Sequence, residues 1–386
     1  MTGRRGPRAH RRRGGHGAES RDGIIAGYVL KLARESVGLT QPAMAAALDV
    51  DAGTVQSWET GRRSLAATSV RDFVRLRLRL LHLGVAGNVI DAIDDALSAD
   101  YILGSVLGAH HLDADPAEHP LAACLLPRAV STMLAWPLTG RAPAAHLDTA
   151  GATRRHGPVP DGPLLGPGER ARFFDRLRAA ADRLRGAPLA DHDRRSVFAH
   201  QAYYRLAWDT TPASTRWLRL AYANHTRAAG SLDRWSADWL GARALVLGLS
   251  FHGDPEPLRH FMGAAFRTDE TEIANLNYWA YWVGELGERQ QSHQFIPRAD
   301  VFDRWSGGRL TVHLAGKLAD GPDVELDVHT LARLLERPAP RHLLEHDREL
   351  SAAVRRAVDR LTGGPARLSD RARRQLDAIA GAATPR

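Results

Sequence analysis

Three groups of residues in this 386-residue chain have the types and spacing to do chemistry. In His342-Leu343-Leu344-Glu345-His346, two imidazoles stand one helical turn apart with a carboxylate between them. That H-x-x-E-H spacing would let both histidines hold zinc while the glutamate activates water. The context argues for a bland alternative: the helix is rich in charge, only 40 residues follow to supply a third ligand, and paired histidines on solvated helices are common in a chain with 18. The second group is aromatic. Seven of the nine tryptophans lie between Trp208 and Trp305, densest at Tyr278-Trp279-Ala280-Tyr281-Trp282. On a helix Tyr278, Tyr281 and Trp282 share one face and Trp279 points off it, so they cannot all enter one core. They read either as core packing or as a groove for a peptide or small molecule, with Asn275, Asn277 or Glu285 as polar anchors. The third group is polar and lies between Thr40 and Arg63. Here Thr40, Gln41, Asp51, Thr54, Gln56, Ser57, Arg62 and Arg63 are spread over two short helical patterns.

That third group depends on a local frame that can be read residue by residue. Thr40 occupies an N-cap position and Pro42 falls in the first turn, where a missing N–H costs nothing. Met44, Ala45 and Leu48 then form one inward face, and Val55 and Trp58 form another on the following helix, which Gly61 stops. Two such helices cannot bury both faces alone, so Ile24 to Val37 and Ser69 to Leu83 are expected to flank them as helices.

This stretch resembles the lambda-repressor-like helix-turn-helix domain of the Cro and XRE family over about residues 24 to 83. The agreement rests on Arg34, Leu39-Thr40-Gln41, Ala45, Val50, Val55 and Trp58-Glu59-x-Gly61. The resemblance implies double-stranded DNA as partner, with the second helix of the pair in the major groove. It implies phosphate contacts from Thr40 and Gln41, base-facing positions at Ala52, Gly53 and Ser57 beside Asp51, Thr54 and Gln56, and an Arg34–Glu59 tie between the first and third helices. Arg62 and Arg63 are well placed for phosphate. Two departures matter. Asp49 stands where the family has glycine at the turn, although aspartate tolerates positive φ better than most residues. Ala52 and Gly53 carry no hydrogen-bonding side chain, so neither reads guanine or adenine by a bidentate contact. Ala52 can touch a thymine methyl, Ser57 or Gln56 can reach a base edge, and the remaining specificity would come from DNA shape. A helix-turn-helix kept only for packing or partner binding is the alternative.

Charge is distributed to match. Residues 1–21 hold seven arginines against Glu19, residues 22–83 hold eight basic against six acidic residues, and the remaining 303 sum to zero, so all of the net +8 lies at one end. That asymmetry points to DNA there. Lysine occurs only at Lys31 and Lys317, a bias expected of a GC-rich genome, so arginine by itself is weak evidence. The tail of residues 1–21 is expected to be disordered, either an arm along DNA or a solvated spectator.

After a domain over 22–83, connecting helices are expected over 84–136 and a Pro/Gly-rich linker over 137–168, followed by a helical domain over 169–386 that binds a ligand or partner. Helical patterns run over 88–107, 121–136, 169–184, 196–208, 214–228, 235–251, 256–266, 271–284, 310–318, 324–335, 341–361 and 369–380. The architecture expected is all-α, with α-hairpins stacked as in helical repeats. The arginine of the helical pattern beyond Gly61, at Arg71, Arg75 and Arg79, reads as a solvated basic stripe. Cys124 is the only cysteine, which excludes an internal disulfide and fits a reducing cytoplasm. No apolar run has membrane-spanning length. No P-loop, dinucleotide fingerprint or cysteine-rich zinc site occurs, so neither a cofactor nor an enzymatic activity is expected. The composite expectation is a DNA-binding transcriptional regulator, acting as a homodimer and answering to an unknown small-molecule, peptide or protein effector. A protein-interaction scaffold is the second reading and a zinc hydrolase a remote third.

Overall fold

The computed structural model describes residues 23–108, 115–143, 162–184, 192–228, 232–319, 321–364 and 368–383. The basic tail and most of the expected linker lie outside the described residues. Within them the chain is all-helical, with 19 α-helices and no strand. The described residues form two compact units that divide inside the fifth helix, between Gly104 and Ser105.

The first unit contains α1 (Ile24–Ser36), α2 (Gln41–Leu48), α3 (Ala52–Glu59), α4 (Val70–His82) and the larger part of α5 (Gly87–Leu107). Ile25, Val29, Leu30, Met44, Val55, Leu65, Leu80 and Ile93 are fully or almost fully buried and make its core. The helix ends follow their caps. Thr40 Oγ1 accepts the Ala43 N–H at 3.2 Å, and Ser69 Oγ accepts that of Asp72. Asp49, with φ +59°, is the one non-glycine residue at positive φ among the described residues, and it turns the chain between α2 and α3. Gly61 follows α3 at φ +69°, where a Cβ would come 2.8 Å from Ile24. Gly27 is needed for a different reason: α1 crosses α3 so closely that a Cβ there would stand 2.0 Å from the Trp58 carbonyl oxygen.

Two features of this unit differ from the pattern. No side chain of α1's own N-terminus caps it; the carboxylate of Asp100, far along α5, accepts the N–H groups of Ile25 (3.0 Å) and Ala26 (2.8 Å). α5 therefore belongs to the same packed body as α1. On α4, the buried positions are Leu76 and Leu80, whereas Val70, Val74 and Leu78 are more than half exposed or close to it.

The second unit contains α6 (Pro120–Ala123), α7 (Arg128–Thr139), α8 (Pro167–Arg183), α9 (His192–Leu206), α10 (Pro212–Ala228) and α11 (Ala237–Phe251). It continues with α12 (Glu256–Ala265), α13 (Asp269–Val283), α14 (Ala299–Phe302), α15 (Gly308–Lys317), α16 (Val324–Leu334), α17 (Pro338–His346), α18 (Arg348–Gly363) and α19 (Asp370–Ala382). The segments around Val312 and Val324 are helical, as their patterns predict. Pro137, read as the start of the linker, lies inside the last turn of α7, which Gly140 ends at φ +75°. The helix expected over 341–361 is two: Asp347 leaves helical geometry at ψ 98°, and its carboxylate caps α18 through the N–H groups of Glu349 and Leu350. α11 is buried without interruption from Trp239 to Ser250, as befits a helix enclosed on all sides. α13 lies between two cores. Tyr278 and Tyr281 join one with Trp239 and Phe261, while Trp279 joins the other with Leu310 and Leu331.

Candidate nucleic-acid interface

The first unit fixes α3 through one buried polar network. Arg34, at the end of α1, donates from Nε to Glu59 Oε1 at 2.6 Å and from Nη2 to Glu59 Oε2 at 3.0 Å, and from Nη1 to the Leu39 carbonyl at 2.8 Å. Both side chains of the pair are nearly out of water, 2 and 3% exposed. Burial by itself lowers the Arg34 proton affinity, yet the bonds and charge of Glu59 outweigh it and the net direction is upward. Gln41 Nε2 then donates to Glu59 Oε2 at 2.7 Å. One carboxylate thus joins the end of α1, the start of α2 and the end of α3, and it sets the orientation of α3.

With Val55, Trp58 and Glu59 turned inward, Asp51, Ala52, Gly53 and Gln56 are exposed, and Thr54 and Ser57 are half-buried. Thr40, Arg62 and Arg63 are exposed as well, so these positions share the outer surface around α3. Several of their polar atoms already have internal work. The Thr40 hydroxyl caps α2. Ser57 Oγ donates to the Gly53 carbonyl at 2.7 Å, which uses its proton and leaves only acceptor lone pairs outward. Arg62 Nε donates to Thr60 Oγ1 at 3.2 Å, leaving the rest of its guanidinium outward. The amide of Gln41 carries two hydrogens, one of which Glu59 takes. Asp51 precedes α3 without forming a side-chain cap. It shares with Asp49, Arg63, Arg75 and Arg79 a cavity of about 330 Å³ between the turn and α4, so the two carboxylates stand among cations.

In the second unit, the three residues proposed as anchors of an aromatic groove are structural ties. Asn277 Nδ2 donates to the carbonyls of Ile296 and Arg298, and its Oδ1 accepts Trp305 Nε1 at 2.9 Å. Asn275 Nδ2 reaches Thr330 Oγ1, and Glu285 accepts the Leu310 N–H. Sequence spacing cannot show this, because each partner lies at least 19 residues away along the chain. His342, Glu345 and His346 do converge, with ligand atoms within 4.8 Å of one another on α17. Both histidines are exposed, their rings lie 3.9 Å apart, His346 Nδ1 bonds the His342 carbonyl and Glu345 pairs with Arg341. The chemistry available there is surface chelation by one helix. Cys124 is half-buried, and burial pushes its thiol pKa up, the opposite of an activated nucleophile. No helix among the described residues is long and apolar enough to cross a membrane.

No family model matches this chain, and no curated protein or solved structure matches it either.

Proposed function

We propose that the chain is a sequence-specific DNA-binding transcriptional regulator. Its first unit acts as a lambda-repressor-like helix-turn-helix, in which α3 enters the major groove and α2 braces it across the backbone. The observation that carries this reading is the Arg34–Glu59–Gln41 network, which locks α3 from its buried side and leaves Ala52, Gly53 and Gln56 facing outward beside Arg62 and Arg63. A helix presented to a groove has to be held rigidly at its back and be free of bulk at its front, and α3 meets both demands.

Arg62, Arg63, Thr40 and the second hydrogen of Gln41 serve phosphate, which fixes register without reading sequence. Gln56 is the exposed side chain of α3 with both donor and acceptor, suited to adenine, while Asp51 can accept from a cytosine amino group and Ala52 can meet a thymine methyl. So few reading groups leave a large share of specificity to DNA shape. A single domain of this kind covers a short half-site, so a homodimer supplies the second, and the second unit answers to an effector.

Binding of the full-length protein to a panel of duplexes tests the assignment. Arg62→Ala and Gln41→Ala weaken binding to every duplex alike, whereas Gln56→Ala changes preference at one or two base pairs by about 1–3 kcal/mol. Folded variants that bind all duplexes as the parent does would defeat the docking of α3.

A further inference from the structure

The outer face of α17 carries three side chains that can act together. Pro340 and Leu344 are buried and hold this short helix to the second unit, and Ser351 Oγ on α18 donates to the Leu344 carbonyl. His342 and His346 stand two residues further along the helix from each anchor, on the opposite face, and both are exposed; Glu345 beside them is half-buried. Residues spaced at i, i+3 and i+4 are neighbours on one turn. One ligand atom from each of the three lies within 4.8 Å of the other two.

Their surroundings prepare these atoms for a cation. His346 Nδ1 lies 2.9 Å from the His342 carbonyl. A carbonyl only accepts, so Nδ1 carries the hydrogen and the neutral ring keeps its lone pair on Nε2, the nitrogen left to bind metal. The His342 ring stands alongside, with centroids 3.9 Å apart and planes inclined by 35°, so both rings can turn a nitrogen to one ion. Arg341 Nε holds Glu345 Oε1 at 3.3 Å, which steadies the carboxylate and leaves Oε2 for a ligand. The group also falls in the last turn of α17, where the negative end of the helix dipole favours positive charge. Drawing the ligand atoms in to the separation of about 3.3 Å that a tetrahedral zinc site requires takes only side-chain rotation, because the backbone already sets them on one turn.

We propose that His342, Glu345 and His346 bind one divalent transition-metal ion of the zinc, nickel and copper series. Two imidazole nitrogens and one carboxylate oxygen suit these ions, whereas Mg2+ and Ca2+ take oxygen ligands. Three protein ligands leave a coordination position for water. Glu345 acts here as a ligand and not as the base that activates water, so the site holds an ion without performing hydrolysis. It depends on α17 alone and stands apart from the DNA-binding reading.

The test measures Zn2+ binding to metal-free, full-length protein by competition with a chromogenic zinc indicator. The chain holds 18 histidines, so the decisive quantity is the difference between parent and variant. His342→Ala and His346→Ala each lose one equivalent of Zn2+ relative to the parent. Glu345→Gln weakens that equivalent by about tenfold or more, the loss that even an outer partner of a metal ligand causes. Ni2+ and Cu2+ displace the zinc, copper most tightly, and excess Mg2+ does not. Both histidines are exposed, so the alanine variants are expected to keep the parent's helical circular dichroism; should one fail to fold, the other decides. The parent's full equivalents retained in either folded histidine variant, an unchanged affinity in Glu345→Gln, or displacement of the zinc by Mg2+ overturns the proposal.

Discussion

Glu59 decides how α3 is presented. Its carboxylate is buried and satisfied by two N–H groups of Arg34 and one of Gln41, so removing it strands a guanidinium that has no other counter-ion within bonding distance except Glu35 at 3.4 Å. Glu59→Ala is therefore expected to destabilise the protein by about 3–5 kcal/mol, and the pair Arg34→Met with Glu59→Leu to recover most of that loss, measured by urea unfolding. A double variant as unstable as Glu59→Ala would mean that the network itself, and not the stranded charge, supplies the stability. The Arg34–Glu59 tie was legible in the sequence through the resemblance, and the positive φ of Asp49 followed from its place in the turn. The second duties of Gln41 and Ser57 were not legible. A helical pattern says which way a side chain points, but it does not say which neighbour takes its proton.

At the scale of elements, local signals succeeded and remote ones failed. The N-caps at Thr40 and Ser69 and the glycine after α3 act within one turn, so α2, α3 and α4 lie close to where the pattern puts them. The cap of α1 comes from Asp100, 75 residues beyond Ile25, and no periodicity reveals it. Nor did apolar spacing choose the buried face of α4, because leucines and valines occur all around it and the fold selected Leu76 and Leu80. Two local signals were missed as well, Gly140 ending α7 beyond Pro137 and the Asp347 carboxylate opening α18. A buried carboxylate accepting two backbone N–H groups is a strong cap, so Asp100→Ala should lower stability by about 2–3 kcal/mol and expose the start of α1. Hydrogen exchange at Ile25 and Ala26 checks this. Protection there equal to the parent's would remove Asp100 from its capping role.

For the whole molecule, the helical class was legible throughout, whereas the buried charge of the second unit was not. An arginine such as Arg243 within the apolar run of α11 was the available signal. Three histidines, His200 and His293 buried and His313 half-buried, give the unit a pH response. His200 is held well below the usual imidazole range by burial and by neighbouring His293, Arg243 and Arg205, and burial brings His293 down to about 3. His313 is also lowered to about 3, by burial and by Arg128 and Lys317. The unfolded chain then binds more protons than the folded one from about pH 6.5 down to about pH 3, so stability is present above pH 6.5 and is lost as the pH falls through that window. Asp327, pushed up to about 7 by burial, titrates in the opposite sense and offsets one histidine. The net slope between pH 6.5 and 5 is up to about two groups at about 1.4 kcal/mol per pH unit each, read from urea midpoints across the range. His293→Asn should flatten it, and a parent slope of zero would contradict neutral burial of these rings.

The central claim is that the outer face of α3 reads DNA. Selection of full-length protein against random duplexes, followed by footprinting of the selected sequence, tests it most directly. The account predicts enrichment of one motif, protected as two half-sites about one helical turn apart, with affinity falling steeply as salt rises. Failure to enrich any motif, or a motif unchanged in Gln56→Ala together with an affinity unchanged in Arg62→Ala, would contradict it.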